Sequence, residues 1–153
     1  MSATGYHTVT PYFTVPCSAE AIAFYTKAFG AVERMRLTLP DGGIAHAEIT
    51  IGDSVIMLGD ENPVWGNKSP KTLGGTPAGC NLAVPDVDAA FDRAVAAGAT
   101  VLMPVADQFY GERSGTVLDP FGHKWSLSTH IKDMTPAEMQ AVMDEWMKAM
   151  PAA

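Results

Sequence analysis

Residues 113–130 read Arg-Ser-Gly-Thr-Val-Leu-Asp-Pro-Phe-Gly-His-Lys-Trp-Ser-Leu-Ser-Thr-His, and the reading of this stretch decides the fold. Gly115 to Leu118 is apolar and β-branched and predicts a strand. Asp119-Pro120-Phe121-Gly122 predicts a tight turn, because Pro presets φ and Gly accepts φ > 0. Lys124 to Ser128 then alternates, with Trp125 and Leu127 on one face and Lys124, Ser126 and Ser128 on the other. A degenerate copy of this hairpin occurs earlier, at Ala45 to Leu58, with its turn at Ile51-Gly52-Asp53.

Working outward, the copy extends to whole halves of the chain. Val15-Pro16 corresponds to Val84-Pro85, Gly30-Ala31 to Gly98-Ala99, and Gly52 to Gly122, at offsets of 69, 68 and 70 residues. Ahead of each hairpin lie a strand, a helix and another strand. Tyr6 to Val15 predicts the first strand, with Pro11 making its start irregular. Ser18 is placed to cap a helix over Ala19–Phe29, which Gly30 ends. Val32–Leu39, Ile44–Ile51 and Ser54–Leu58 follow as strands. Gly79–Val84 opens the second half, Asp86 caps a helix over Val87–Ala97, Gly98 stops it, and Thr100–Val105 is a strand. The expectation is an α+β fold: two βαβββ modules (6–59 and 79–130) within one domain spanning 1–153, forming a cupped, partly open mixed sheet. Residues 60–78 form a linker or flap without periodicity. At 134–150 a capping box, Thr135-Pro136-Ala137-Glu138, starts a C-terminal helix with an apolar stripe of Met139, Val142, Met143, Trp146 and Met150. That stripe either docks on its own domain, swaps onto a partner, or forms a lid.

Bulk composition narrows the function. Of 153 residues, 47% are apolar and 18% charged, as in an ordinary globular protein. A net charge of −7 disfavours a nucleic-acid or anionic-membrane partner and favours a small neutral or cationic ligand. No apolar run is long enough to span a membrane, and the first residues do not read as a signal peptide. Two cysteines make no disulfide framework, so the expected location is cytoplasmic.

Alternation also predicts which side chains line the cup. On the third strand Ala45, Ala47, Ile49 and Ile51 should face the helix, leaving His46, Glu48 and Thr50 for the cup. Thr10 and Tyr12 on the first strand share that sense, and the repeat adds Asn81, Thr116 and Ser126. His46 with Glu48 forms the best chemical pair: an acid–base couple, an unusual metal-binding pair, or a mutually hydrogen-bonded pair that only orients a ligand. Arg113 could clamp an anionic group or pair with a neighbouring acid on the surface. Trp65, Phe109 and Tyr110 lie in loops at the rim, where they either stack on a ligand or anchor the loops. Cys17 reads as filler, and His7, His123 and His130 as surface or turn residues.

Two βαβββ units, Ala23-Phe24-Tyr25 with Phe29-Gly30, and Asp119-Pro120-Phe121-Gly122-His123 resemble the vicinal-oxygen-chelate superfamily. His46-Ala47-Glu48, Gln108-Phe109-Tyr110-Gly111 and the capped C-terminal helix resemble its bacterial glyoxalase/bleomycin-resistance members. The resemblance implies a homodimer that binds a small molecule in the cup, as bleomycin-resistance proteins do. The alternatives it carries are a lyase, isomerase or hydrolase using Glu48 with His46, or a divalent-metal-dependent glyoxalase or dioxygenase. In metal-dependent members the ligand positions fall here near Thr10, at Ile56 or Met57, at Gly79 or Cys80, and at Ser126. Cys80 alone is a competent donor among these. The expected metal site is therefore none and no cofactor is expected, with a divalent metal at another position as the alternative.

Overall fold

The computed structural model describes residues 5–150. The first half comprises β1 (Tyr12–Val15), α1 (Ser18–Phe29), β2 (Val32–Thr38), β3 (Ile44–Ile51) and β4 (Ser54–Asp60). A 3-10 turn at Pro63–Trp65 and the short α2 (Pro70–Leu73) follow. The second half comprises β5 (Gly79–Ala83), α3 (Val87–Ala97), β6 (Thr100–Asp107), β7 (Glu112–Leu118) and β8 (Lys124–His130), and α4 (Pro136–Ala149) ends the chain. The strands form two open four-stranded mixed sheets ordered β1-β4-β3-β2 and β5-β8-β7-β6. β1 runs parallel to β4 and β5 parallel to β8, while the other neighbours are antiparallel. The same order of elements thus builds both sheets, and the fold is α+β.

Local departures from the sequence reading have physical causes. Tyr6 to Pro11 is not strand; β1 starts at Tyr12, after the proline that cannot donate to a ladder. Ser18 does not cap α1. Cys17 occupies the cap position without a side-chain bond, and the Ser18 amide donates instead to Asp60 Oδ1 at 2.6 Å. The other Asp60 oxygen accepts from the Ile44 amide at 2.8 Å, so one carboxylate joins the start of α1 to the start of β3. The 60–78 segment holds structure after all: Asn62 and Ser69 cap its two short helical turns.

The two halves share a core. Ala21, Tyr25, Ala28, Ala47, Ile49 and Leu58 of the first half and Ala94, Val117, Trp125 and Leu127 of the second belong to one buried cluster. The helices meet, and Arg93 Nε on α3 donates to the Ala28 carbonyl on α1 at 2.7 Å. At the centre lies Asp119, first residue of the predicted turn and only 3% exposed. Its Oδ1 accepts from the Phe121 and His123 amides, both at 2.9 Å. Its Oδ2 accepts from the Tyr25 hydroxyl at 2.7 Å and from Trp125 Nε1 at 3.0 Å. Burial, and then the Asp119 charge, push the Tyr25 hydroxyl well above its ordinary pKa, so Tyr25 stays a donor. The turn is thereby bolted to the other half. His123 adds a second bolt, stacking on Phe13 at 4.2 Å, with Nε2 3.0 Å from the Thr14 carbonyl.

His130 ends β8 between two carboxylates, with Nδ1 2.8 Å from Glu112 of β7 and Nε2 2.8 Å from Asp133 ahead of α4. The Thr135–Glu138 capping box forms as read. No residue of α4 is buried in the chain, and its Val142, Trp146 and Met147, with Met150 just after it, are exposed.

Two outcomes are expected. Asp119→Ala strands two amides, a phenol and an indole N–H in the core and should cost about 3 kcal/mol or more; a loss below about 1 kcal/mol in urea denaturation would contradict this account. The Glu112 hydrogen bond, and then the Asp133 one, raise the His130 pKa in the folded chain. A raised folded value means stabilisation that is complete below the unfolded value and is lost as pH rises through the folded one. His130→Gln should therefore flatten the pH dependence of stability in that near-neutral window; an unchanged profile would show that the two contacts do not form in solution.

Candidate functional site

The second sheet carries an open trough of about 1060 Å³ on the face away from α3. Strand register explains its floor. Ser126 on β8 lies beside Asn81 on β5 and Thr116 on β7, and Ser128 lies beside Ala83 and Ser114. Thr116 Oγ1 and Ser126 Oγ are 3.0 Å apart, and Asn81 Nδ2 is 3.5 Å from Ser128 Oγ. Small hydroxyl side chains at period two leave the backbone low and present donors and acceptors at each step. Met103 of β6 contributes an apolar wall, and Tyr110, with its hydroxyl 3.3 Å from Ser114 Oγ, stands at the rim. Lys124 and His130 mark the two ends of β8, about 20 Å apart at ordinary strand rise. The trough therefore has a positive group at one end and His130, held between Glu112 and Asp133, at the other.

His46 and Glu48 lie elsewhere. As alternation requires, Ala47, Ile49 and Ile51 are buried toward α1, and His46 and Glu48 point to the opposite face of the first sheet. They do not line the trough, whose walls all come from residues 79–130. The residues expected to share one cup thus divide between the two sheets. The halves are joined through their helices, the Asp119 turn and the β1 edge. Glu48 is 6% exposed. Tyr6 donates to both its oxygens, at 2.7 and 2.8 Å; Arg34 Nη1 stands 3.2 Å from one, and His46 Nε2 3.3 Å from the other. Burial pushes the Glu48 pKa up, but the hydrogen bonds from Tyr6 and His46 and the Arg34 charge outweigh it and leave the value lowered. Glu48 is thus a satisfied carboxylate. Tyr12 flanks the cluster, its ring 5.6 Å from the His46 ring and its hydroxyl 3.4 Å from Nδ1.

The remaining predicted residues are placed as follows. Thr10 precedes β1, its hydroxyl 3.5 Å from the His7 carbonyl. Arg113 points to α3 and is held by both Asp88 oxygens and by Asp107 Oδ1, all at 2.8 Å, which raises its pKa further. Its neighbour Glu112, the sequence-adjacent partner, instead pairs with His130. Trp65 is 53% exposed in the 3-10 turn, outside the trough, and Phe109 packs edge-on against Tyr110 at the rim. Among the sequence-based choices Asn81, Thr116, Ser126 and Tyr110 meet in the trough. Ser114 and Ser128, each two residues from a chosen position on the same face, line it as well, and His130, read as a surface or turn residue, is exposed at its end. Arg34 had no such signal: it occupies an irregularity between Glu33 and Met35 that turns it onto the Glu48 side.

The ligand positions implied by the resemblance do not supply a donor set for a divalent metal. The positions implied by the resemblance carry Thr10, Ile56 or Met57, Gly79 or Cys80, and Ser126, and burial raises the Cys80 thiol pKa. Among the described residues no three His, Cys, Asp or Glu side chains converge as a ligand group.

Comparison with known proteins agrees with this geometry. Residues 7–127 match the family model described as the Glyoxalase/Bleomycin resistance protein/Dioxygenase superfamily. An uncharacterised protein of Mycobacterium bovis is 47% identical over 138 residues, covering 88% of this chain and 91% of its own. TioX from Micromonospora sp. ML1 superposes with a TM-score of 0.62 at 25% identity, covering 82% of this chain and 99% of its own. An Arabidopsis thaliana gene product superposes with a TM-score of 0.65 at 26% identity, covering 80% and 98%. With its two βαβββ-ordered sheets and a family match over most of its length, the chain belongs to the Glyoxalase/Bleomycin resistance protein/Dioxygenase superfamily.

Proposed function

We propose that the protein binds a small molecule in the trough of the second sheet and does so as a homodimer. The observation that carries this reading is the floor of Asn81, Ser114, Thr116, Ser126 and Ser128 beneath about 1060 Å³ of space. Small-molecule sites occupy roughly 300–1,000 Å³ and combine apolar walls with a few placed polar groups. A neutral or cationic ligand with several hydrogen-bonding groups suits that floor and the net charge of −7. The homodimer is supported by what one chain leaves uncovered. Every residue of β2 is exposed, and β6 presents Val101, Leu102 and Met103 to solvent. A second copy would cover such edges and close the open side of the trough.

The acid–base reading of Glu48 with His46 has less support. A carboxylate with a lowered pKa makes a poor general acid at neutral pH, and its two oxygens already accept from Tyr6. No step is assigned to a metal, because the ligand positions implied by the resemblance do not supply its donors.

In ligand-observed NMR against a library of neutral and cationic heteroaromatic fragments, the wild-type protein should yield hits that Ser126→Trp weakens at least about tenfold, or 1.4 kcal/mol. Hits indifferent to that substitution would refute the site. Sedimentation velocity should show a dimer at micromolar concentration.

A further inference from the structure

The first sheet carries a socket that the trough reading does not use. Its parts come from adjoining strands. Glu48 and His46 are two apart on β3, and Arg34 reaches over from the irregular position on β2. A carboxylate as buried as Glu48 must be compensated by donors, and here much of the compensation comes from Tyr6. Its hydroxyl donates to both Glu48 oxygens while its ring lies beneath Arg34, whose guanidinium carbon is 4.8 Å from the ring centre. Tyr6 itself belongs to no strand or helix. It is carried by the stretch ahead of β1, which His7 fastens through a 3.1 Å contact to the Asp53 carbonyl. The socket is thus built by the sheet, and its occupant is delivered by the irregular stretch ahead of β1.

We infer that the Arg34–Glu48–His46 face is a second binding site, selective for a flat aromatic ring bearing an O–H or N–H donor, and that Tyr6 fills it in cis. The recognition needs both parts: a π face for the guanidinium and a donor aimed at the carboxylate. A phenol or an N–H heteroaromatic has both; toluene has only the first. A tethered ring competes at an effective concentration in the millimolar range, so a free ligand of modest affinity enters only when Tyr6 leaves.

The test uses p-cresol as the probe, with toluene as the control, on the full chain. Tyr6→Ala should bind p-cresol at least about tenfold more tightly than wild type in saturation-transfer NMR, and p-cresol should raise the melting temperature of that variant. Tyr6→Phe keeps the ring and its packing, so it secures a folded comparison; it should show an intermediate gain. Adding Arg34→Gln to Tyr6→Ala should abolish the gain, while adding Ser126→Trp should leave it intact. Equal p-cresol binding by wild type and both Tyr6 variants would overturn the inference, as would equal binding of toluene or survival of the gain in the Arg34→Gln background. A gain lost with Ser126→Trp would place the probe in the trough and equally refute the second site.

Discussion

The fold depends on one buried negative charge. A carboxylate in a core is unfavourable unless all its acceptor capacity is used. Asp119 meets that condition with four donors, two from its own turn and two from aromatic side chains. The turn amides shape the hairpin that ends the second sheet. Trp125 fixes that hairpin's inner face, and Tyr25 reaches in from α1 of the first half. A single side chain thus sets a local turn and the relative placement of the two halves. The aromatic rings around it, Phe13, Phe24, Phe29 and Phe121, close at centroid distances of 4.7 to 6.4 Å and exclude water from the group.

The arrangement explains why the polar chemistry divides between two faces. Apolar positions at period two go to the helices, so hydroxyls and charges collect on the far side of each sheet. On the second sheet these side chains are short, and the result is a hollow. On the first sheet they are long and mutually satisfied, and the result is a filled cluster. The same topology therefore yields an open site and an occupied one.

Much of this was legible in the residues. The strand-turn-strand of 113–130 and its displaced copy specify the order of elements, because turn chemistry and period-two alternation are local properties. The inward and outward faces of β3 and β8 follow from the same rule. What was not legible is what depends on distance in space. Asp119 read as a turn former, and nothing near it announces Tyr25. Arg113 sits beside Glu112 in sequence but bonds to Asp88 on α3. Tyr6 read as the start of a strand, because its pattern alternates, yet Pro11 separates it from the sheet and frees it to cover Glu48. His46 and Glu48 were placed on the right face of their strand, but which faces share a cavity is a matter of how the halves join, and periodicity carries no information about that.

The hydrogen bond from Tyr25 to Asp119 spans 94 residues. During synthesis, from the N-terminus onward, the first sheet and α1 emerge well before the acceptor that Tyr25 needs. Until then the aromatic side of α1 has neither its core partners nor its anion. Closing so long a loop is entropically slow, and the half-made chain presents an apolar helix face meanwhile. The duplicated order of elements offsets this, since each sheet can assemble from near neighbours before the halves meet. The Asp119 turn can form with its own hairpin, but its bond to Tyr25 requires both halves, so the aromatic side of α1 waits for the second half to be made.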